Sequence, residues 1–218
     1  MDYAKWRTFY EDILRDFGFS EENDIKAVRI LNDLVKPLPL EVLEEKIADK
    51  RVCIYGSGQS LEKVEDFPRC AKIAADGATT YLLGKGIVPE VVVTDLDGMI
   101  EDLYKANGEG SIMVIHAHGD NLDKIKVYAR EFTRVIPTCQ CEPLGNLQNF
   151  GGFTDGDRAV FLAVHFKARE IVLYGMDFEG VGKYSFSKDT PIKRKKLKWG
   201  KRLIDYLRQK GDIKITEG

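Results

Sequence analysis

Two aspartates follow a run of β-branched residues near the middle of the chain. Val91 to Thr94 predicts a buried strand, and Asp95 and Asp97 come directly after it with one residue between them. Alternate residues of an extended chain point the same way, so we expect both carboxylates to face one spot at the end of the strand. Close carboxylates repel, and an oxygen-only pair suits Mg²⁺, so the pattern predicts a magnesium site. The alternative is an ordinary turn, because Asp and Gly often follow strands.

Other predicted strands also end at residues that could bind a ligand. Asp76 follows the second strand and could bind a metal or a ribose, or could only cap the next helix. The fourth strand runs into His118, Asp120 and Asn121, where a strand meets a helix. Asp120 could join the metal ligands or cap that helix.

The first predicted strand runs into a glycine-rich turn that contains Gly56, Ser57, Gly58 and Ser60. The glycines allow the backbone to approach a ligand closely, and Ser60 can open a helix whose N–H groups suit a phosphate. The turn is neither a Walker loop nor a complete dinucleotide fingerprint. It therefore predicts either a phosphate site or an ordinary tight turn.

Arg158 and Asp177 are further candidates at the same edge. Arg158 falls in the first turn of a predicted helix, where a cation is unfavourable unless an anion is near, so it is a phosphate candidate. The alternative is an ion pair with Asp155, three residues earlier. Asp177 ends the sixth strand and could accept hydrogen bonds from the amino and ring N–H groups of a heterocycle, or could cap a turn.

Short apolar runs alternate with helical stretches from residue 51 onward. This alternation predicts the α/β class, with a mostly parallel sheet covered by helices on both faces. The predicted strands are 51–55, 72–75, 90–94, 111–115, 133–136 and 170–174, and a last helix is predicted at 193–209. Helical periodicity also predicts helices at 2–18, from about 20 to 36, and at 40–48. We therefore expect a helical segment at 1–48 followed by a catalytic domain at 49–218.

Bulk properties narrow the function classes. The chain has 218 residues, 44% of them hydrophobic, and a formal net charge of −2, which fits one α/β domain and does not suggest a nucleic-acid binder. No apolar stretch is long enough to span a membrane, and we expect a cytoplasmic protein. The four cysteines lack zinc-site spacing. Cys53 is expected to be a buried thiol, and Cys139 and Cys141 are expected to stay reduced.

Three segments have roles that the sequence pattern alone does not decide. The aromatic stripe of the N-terminal helices could pack on the main domain or on a second subunit, which would make a homodimer. The glycine-containing region 176–190 could be a mobile flap. The basic run 193–202 could be a solvated helix face or a tail that closes over a triphosphate.

Five motifs together resemble the archaeal 6-hydroxymethyl-7,8-dihydropterin pyrophosphokinase family. They are Gly-Ser-Gly-Gln-Ser-Leu at 56–61, Ala-Asp-Gly-Ala at 75–78, Thr-Asp-Leu-Asp-Gly at 94–98, His-Ala-His-Gly-Asp-Asn at 116–121 and Gly-Gly-Phe-Thr-Asp-Gly-Asp-Arg-Ala at 151–159. The second and third also resemble thiamine pyrophosphokinases. The chain has Thr94 and Gly98 where that second family has Gly and Ser, so the resemblance favours the pterin as substrate.

The resemblance implies transfer of a diphosphate from ATP to a pterin alcohol, with AMP as the second product. It implies Mg²⁺ held by Asp95 and Asp97, with Asp76 or Asp120 assisting. His118 or Asp120 would take the hydroxyl proton.

The resemblance also implies two sets of binding residues. Arg158 and the backbone from Gly56 to Ser60 would hold phosphate oxygens. Asn121, Phe150 and Phe153 would contact the pterin.

Three other functions remain open from the residues. A nucleotide-sugar glycosyltransferase would use the Asp-x-Asp pair and release a nucleoside diphosphate. A non-catalytic nucleotide sensor would bind ATP without turnover. A metal hydrolase would use His116 and His118 with the carboxylates and prefer Mn²⁺ or Zn²⁺.

Overall fold

The computed structural model describes residues 1–186 and 188–218, and these residues build a seven-stranded, all-parallel sheet with flanking helices. The strands are β1 Arg51–Tyr55, β2 Ala71–Ala75, β3 Val91–Thr94, β4 Ile112–Ala117, β5 Val135–Cys139, β6 Glu170–Tyr174 and β7 Lys214–Glu217. The helices are α1 Tyr3–Phe17, α2 Glu21–Leu34, α3 Glu41–Ile47, α4 Ala78–Gly84, α5 Ile100–Gly108, α6 Leu122–Tyr128, α7 Asp155–His165 and α8 Pro191–Lys210. The predicted fold class is confirmed.

The strand order places a ligand crevice at one point of the sheet. The order is β5-β4-β3-β2-β1-β6-β7, so the chain builds outward from β1 in one direction and then returns to β6 on the other side of β1. In open parallel sheets, ligands bind beyond the carboxyl ends of the strands where the order reverses. Here that point lies between the ends of β1 and β6.

Helices cover both faces of the central sheet. All the residues of β3, β4 and β5 are buried, although neighbouring side chains of a strand point to opposite faces. Helix α7 packs against β1, β2 and β3, and α2 packs against β4 and β5. The strand ends near the reversal point are therefore held in a rigid, well-packed layer.

The N-terminal helices pack into the same core as the sheet. Trp6, Tyr10 and Ile13 of α1 are buried, and the Trp6 indole N–H donates to the Gln140 carbonyl at 2.7 Å. Gly18 ends α1 in the left-handed conformation. The chain thus buries its own aromatic stripe, and a homodimer through these helices remains a prediction.

The strands differ most from the sequence expectation at β5 and β7. The fifth strand was expected at 133–136, but β5 runs from Val135 to Cys139 and includes Pro137, which an edge strand tolerates. Strand β7 was not predicted, because its four residues are too short and too polar to give a clear periodic pattern. The predicted flap at 176–190 contains a short 3₁₀ helix at Lys183–Ser185, and residue 187 lies outside the described residues.

Cys53 is buried, as expected, but it is not a free thiol. Cys53 of β1 forms a disulfide with Cys70, next to the start of β2, because these strands are neighbours in the sheet. Their separation of 17 residues gives no hint of this adjacency. Cys139 and Cys141 are free and buried, as predicted. Within the described part of the chain, we find no helix that is long and apolar enough to cross a membrane.

Trp6→Ala is expected to lower the free energy of unfolding by about 3–5 kcal/mol, since it leaves a cavity between α1 and Phe161 of α7 and removes the indole hydrogen bond. Urea unfolding would measure this loss, with Lys5→Ala as an exposed control that should change stability by about 0.5 kcal/mol at most. A loss below about 1 kcal/mol for Trp6→Ala would show that α1 contributes little to the common core.

Candidate active site

Two turns meet at the point where the strand order reverses. The Gly58 N–H donates to the Gly175 carbonyl at 2.8 Å, which joins the turn after β1 to the turn after β6. A Cβ on Gly56 would lie 2.5 Å from the Met176 sulfur, and Gly175 has a φ of +63°. The glycines are therefore required for close packing of the two turns, and the backbone of Gly56 and Gly58 also lines a cleft.

This cleft has a volume of about 390 Å³ and opens at the carboxyl ends of the strands. It brings together many of the predicted site residues, namely Gly56, Ser57, Gly58, Asp76, Asp95, Asp97, His118, Phe153, Arg158 and Asp177. Ser60, Asp120, Asn121 and Phe150 are not among the residues that line it.

The predicted residues outside the cleft have partners in the chain. The Ser60 N–H donates to the Asp177 carboxylate at 2.6 Å, so Asp177 caps the turn after β1 as well as lining the cleft. Asp120 is exposed. Phe150 packs against His165 with ring centroids 4.7 Å apart.

Asn121 joins the ends of two strands from behind the cleft. Its amide donates to the carbonyls of Asp95 at 2.9 Å and His116 at 2.7 Å. Its oxygen accepts from the His118 N–H at 3.0 Å. The side chain thus fixes the residues that follow β3 and β4.

Asp76, Asp95 and Asp155 form an acidic cluster at the bottom of the cleft. Their carboxylate oxygens lie within 4.8 Å of one another, and among the described residues this is the group with the spacing of a metal site. The sequence analysis named Asp155 only as a possible partner of Arg158, so its place in the cluster was missed. The signal was present, because Asp155 stands in the same motif as Arg158.

Asp97 diverges from this cluster because the backbone turns between the two aspartates. Leu96 is buried and has a φ of +67°, so the chain is no longer extended there and alternation does not apply. The Thr94 hydroxyl accepts from the Leu96 N–H at 2.8 Å and donates to Asp76 at 2.5 Å. The Asp97 carboxylate accepts from Lys124 at 2.6 Å, at the rim of the cleft.

The carboxylates of the cluster differ in pKa. Burial raises the pKa of Asp95, but the hydrogen bond from His118 and the charges of Arg158 and Lys196 outweigh burial, and the net pKa lies well below the usual range. Burial and the charge of Asp95 raise the pKa of Asp76 to about 7. Burial and the charge of Asp95 also raise the pKa of Asp155 well above its usual value. A cation at this point would relieve the repulsion.

Two basic side chains support the cluster. The His118 Nε2 lies 3.3 Å from the Asp95 carboxylate, and its Nδ1 accepts from the Asp120 N–H at 3.3 Å, which assigns the ring proton to Nε2. Arg158 is buried and donates to Asp155 at 3.1 Å. The predicted pair three residues apart is thus formed, and the same guanidinium lines the cleft with its Nε unpaired.

A buried carboxylate of α2 holds the far side of this arrangement. Asp24 accepts from the Gly119 N–H at 2.7 Å, from the Gln140 amide at 2.8 Å and from the Tyr10 hydroxyl at 2.6 Å. Gln140 also lines the cleft and accepts from Arg158 at 3.4 Å. Sequence patterns gave no signal for Asp24 or Gln140, because their contacts join distant segments.

The fold and the site define an α/β protein with an acidic ligand cleft where the strand order reverses. Residues 26–181 match the family described as 6-hydroxymethylpterin diphosphokinase MptE-like. The chain belongs to this family, so both the resemblance seen in the motifs and the prediction of a diphosphokinase are confirmed.

Three curated relatives carry the name 6-hydroxymethyl-7,8-dihydropterin pyrophosphokinase. The chain is 46% identical to the protein of Pyrococcus furiosus, over 100% of this chain and 99% of that one. It is 40% identical to the Methanocaldococcus jannaschii protein over 100% of both chains. It is 41% identical to the Methanothermobacter thermautotrophicus protein over 99% of both.

Two solved structures are also similar to the chain at 16% identity, each over 77% of its length. One is the MAf glycosyltransferase from Magnetospirillum magneticum AMB-1, with a TM-score of 0.47 and 29% of that chain covered. The other is the thiamin pyrophosphokinase from Geobacillus thermodenitrificans, with a TM-score of 0.38 and 59% of that chain covered.

Asp76→Asn is expected to stabilise the metal-free protein at pH 8 by about 2–4 kcal/mol. The folded pKa of Asp76 is raised from 3.8 to about 7, so its stabilising contribution is complete below pH 3.8 and is lost as the pH rises through about 7. The asparagine variant has no such loss. Urea unfolding in EDTA between pH 4 and pH 8 would measure a difference that grows with pH.

Mg²⁺ at pH 8 should stabilise the wild-type protein more than Asp76→Asn, because only the wild-type protein keeps three carboxylates. The control is Asp123→Asn, whose side chain is 97% exposed. If the difference in unfolding free energy between Asp76→Asn and the wild type in EDTA does not change with pH, the raised pKa of Asp76 is contradicted.

Proposed function

We propose that the chain transfers a diphosphate from ATP to the hydroxymethyl group of 6-hydroxymethyl-7,8-dihydropterin, with Mg²⁺ as the metal and AMP as the second product. Family membership and full-length relatives of that name support the pterin substrate. The observation that carries the rest is the cluster of Asp76, Asp95 and Asp155, which lies beyond the ends of β2 and β3 in the cleft that extends from the strand-order reversal.

The donor set of the cluster fits Mg²⁺, because three carboxylates supply only hard oxygen ligands. We assign the metal to Asp76, Asp95 and Asp155, with Asp97 at the rim of the cleft. When bound, Mg²⁺ would offset the negative charge that develops on the phosphates during transfer.

The chain's own residues position the reacting groups. The pterin hydroxyl oxygen attacks the β-phosphorus and its proton passes to solvent. The bond between that phosphorus and the oxygen that bridges to the α-phosphorus breaks, and AMP leaves with this oxygen. Arg158 lines the cleft and can direct a guanidinium N–H at a phosphate oxygen. The proton on the His118 Nε2 keeps Asp95 ionised, so in this geometry His118 acts as a positioning residue.

The pterin can bind near the turn after β6. Asp177 lines the cleft there and can accept from the amino and ring N–H groups of the heterocycle with the oxygen that Ser60 leaves free. Phe153 offers an apolar surface on another wall of the cleft. We retain the cytoplasm as the proposed location, since ATP is the proposed donor.

Asp95→Asn and Asp155→Asn are each expected to lower kcat for AMP formation at least about 100-fold, because each removes a charge that would hold the metal. The assay contains ATP, Mg²⁺ and the pterin alcohol, with AMP and the pterin diphosphate as readouts. Asp123→Asn is the control and should keep wild-type activity.

Asp97→Asn tests whether the metal is held by the Asp95–Asp97 pair or by the cluster of Asp76, Asp95 and Asp155. Its side chain is 55% exposed and paired with Lys124, so we expect a smaller loss of AMP formation than for Asp155→Asn. Full activity of Asp155→Asn would contradict the three-carboxylate assignment. Release of a nucleoside diphosphate in place of AMP would instead favour a glycosyl transfer.

A further inference from the structure

Helix α8 forms one wall of the cleft with its first two turns. Lys193, Lys196 and Leu197 line the cleft, at the spacing of one helix face. Thr190 caps the helix, and its hydroxyl accepts from the Lys193 N–H at 3.1 Å. Part of the basic run 193–202 therefore faces the site and is not only a solvated surface.

The adjoining face of α8 is fixed to α1. The Trp199 indole N–H donates to the Asp16 carboxylate at 2.7 Å, and Lys195 also pairs with Asp16 at 3.3 Å. Lys195 in addition lies over the Phe17 ring at 4.8 Å. These contacts set the rotation of α8 and so keep Lys196 on the cleft side.

The ammonium group of Lys196 is held between two aromatic rings. It lies 5.4 Å from the centroid of Phe19 and 5.9 Å from the centroid of Phe153. Among the residues that the structure describes, Lys196 has no ion pair with a carboxylate. Aromatic faces orient a cation without satisfying its N–H donors, so these donors are available to a ligand.

A triphosphate in the cleft carries several negative charges, so its oxygens on the α8 side of the cleft also need a cation. A metal held by the acidic cluster would neutralise phosphate oxygens on one side, and Arg158, whose charge is partly offset by Asp155, would hold only some of the others. We propose that Lys196 binds the β- and γ-phosphates of the nucleoside triphosphate from the α8 side of the cleft. This inference rests on the proposed function, and it adds a residue that no motif contains.

The test compares Lys196→Met with Lys198→Met. Methionine keeps an unbranched apolar side chain and removes the charge, and Lys198 is an exposed lysine of the same helix outside the cleft. Isothermal titration calorimetry in the presence of Mg²⁺ would measure the affinity of each variant for ATP, inorganic tripolyphosphate and AMP. We expect Lys196→Met to weaken ATP and tripolyphosphate binding about 10-fold or more and to leave AMP unchanged. Lys198→Met should bind all three like the wild type.

Three further results decide the inference. Partial recovery of ATP binding by Lys196→Arg, with an unfolding midpoint equal to that of the wild type, would support direct contact with phosphate. ATP affinity of Lys196→Met within about twofold of the wild type would overturn the inference. Equal losses for AMP and ATP would also overturn it, because the lysine would then not act on the β- and γ-phosphates.

The same experiments separate this inference from the proposed function. If the wild type forms no pterin diphosphate but its triphosphate binding depends on Lys196, the proposed function fails and the inference stands. If the wild type forms pterin diphosphate and Lys196→Met binds ATP normally, the inference fails and the proposed function stands. If the wild type binds neither ATP nor tripolyphosphate, both fail.

Discussion

The mutual repulsion of three carboxylates is the constraint on which the candidate site depends. Asp76, Asp95 and Asp155 lie within 4.8 Å of one another in a partly buried cleft, where charge is poorly screened. They come from the end of β2, the end of β3 and the start of α7, which the parallel sheet collects at one edge. Asp76 has a φ of +45°, so the backbone is also held in an unusual conformation for this purpose.

The chain offsets this repulsion with groups of different kinds. A hydroxyl, an imidazole and a guanidinium, those of Thr94, His118 and Arg158, each bond to one carboxylate. The raised pKa of Asp76 also reduces the repulsion, because below about pH 7 this carboxyl group binds a proton and loses its charge. The three side chains and this proton together reduce the repulsion among the three carboxylates when no cation is bound.

The N-terminal helices serve the site although they carry none of its motifs. Helix α2 holds Gly119 and Gln140 through Asp24, and the end of α1 fixes α8 through Asp16. These contacts support opposite walls of the cleft. The segment 1–48 is therefore part of the structure that positions the site, and its buried aromatic stripe has a clear role within one chain.

Local sequence patterns predicted the parts of the fold and site that depend on local physics. Periodicity located Asp76 and Asp95 at the ends of strands. Capping rules placed Arg158 in the first turn of a helix. Alternation failed for Asp97, because a positive φ at Leu96 redirects the chain and a leucine does not signal it. The disulfide of Cys53 depends on strand adjacency, which appears only in the folded sheet.

Contacts between distant segments also explain why some residues make other interactions than the sequence motifs predicted. Asn121 and Ser60 stand in ligand-like motifs, yet their polar groups bond to the chain itself. Asp24 and Gln140 were invisible because their contacts span 116 residues of sequence. Short motifs locate an edge of the sheet, while the arrangement of side chains there depends on contacts between distant segments.

The first and last helices of the chain depend on each other, since Asp16 and Trp199 are 183 residues apart. During synthesis, α1 leaves the ribosome long before the helix that anchors it exists. The nascent chain therefore lacks one wall of the cleft until almost all residues have emerged, and Trp6 of its aromatic stripe stays uncovered until Phe161 of α7, against which it packs, has been synthesised.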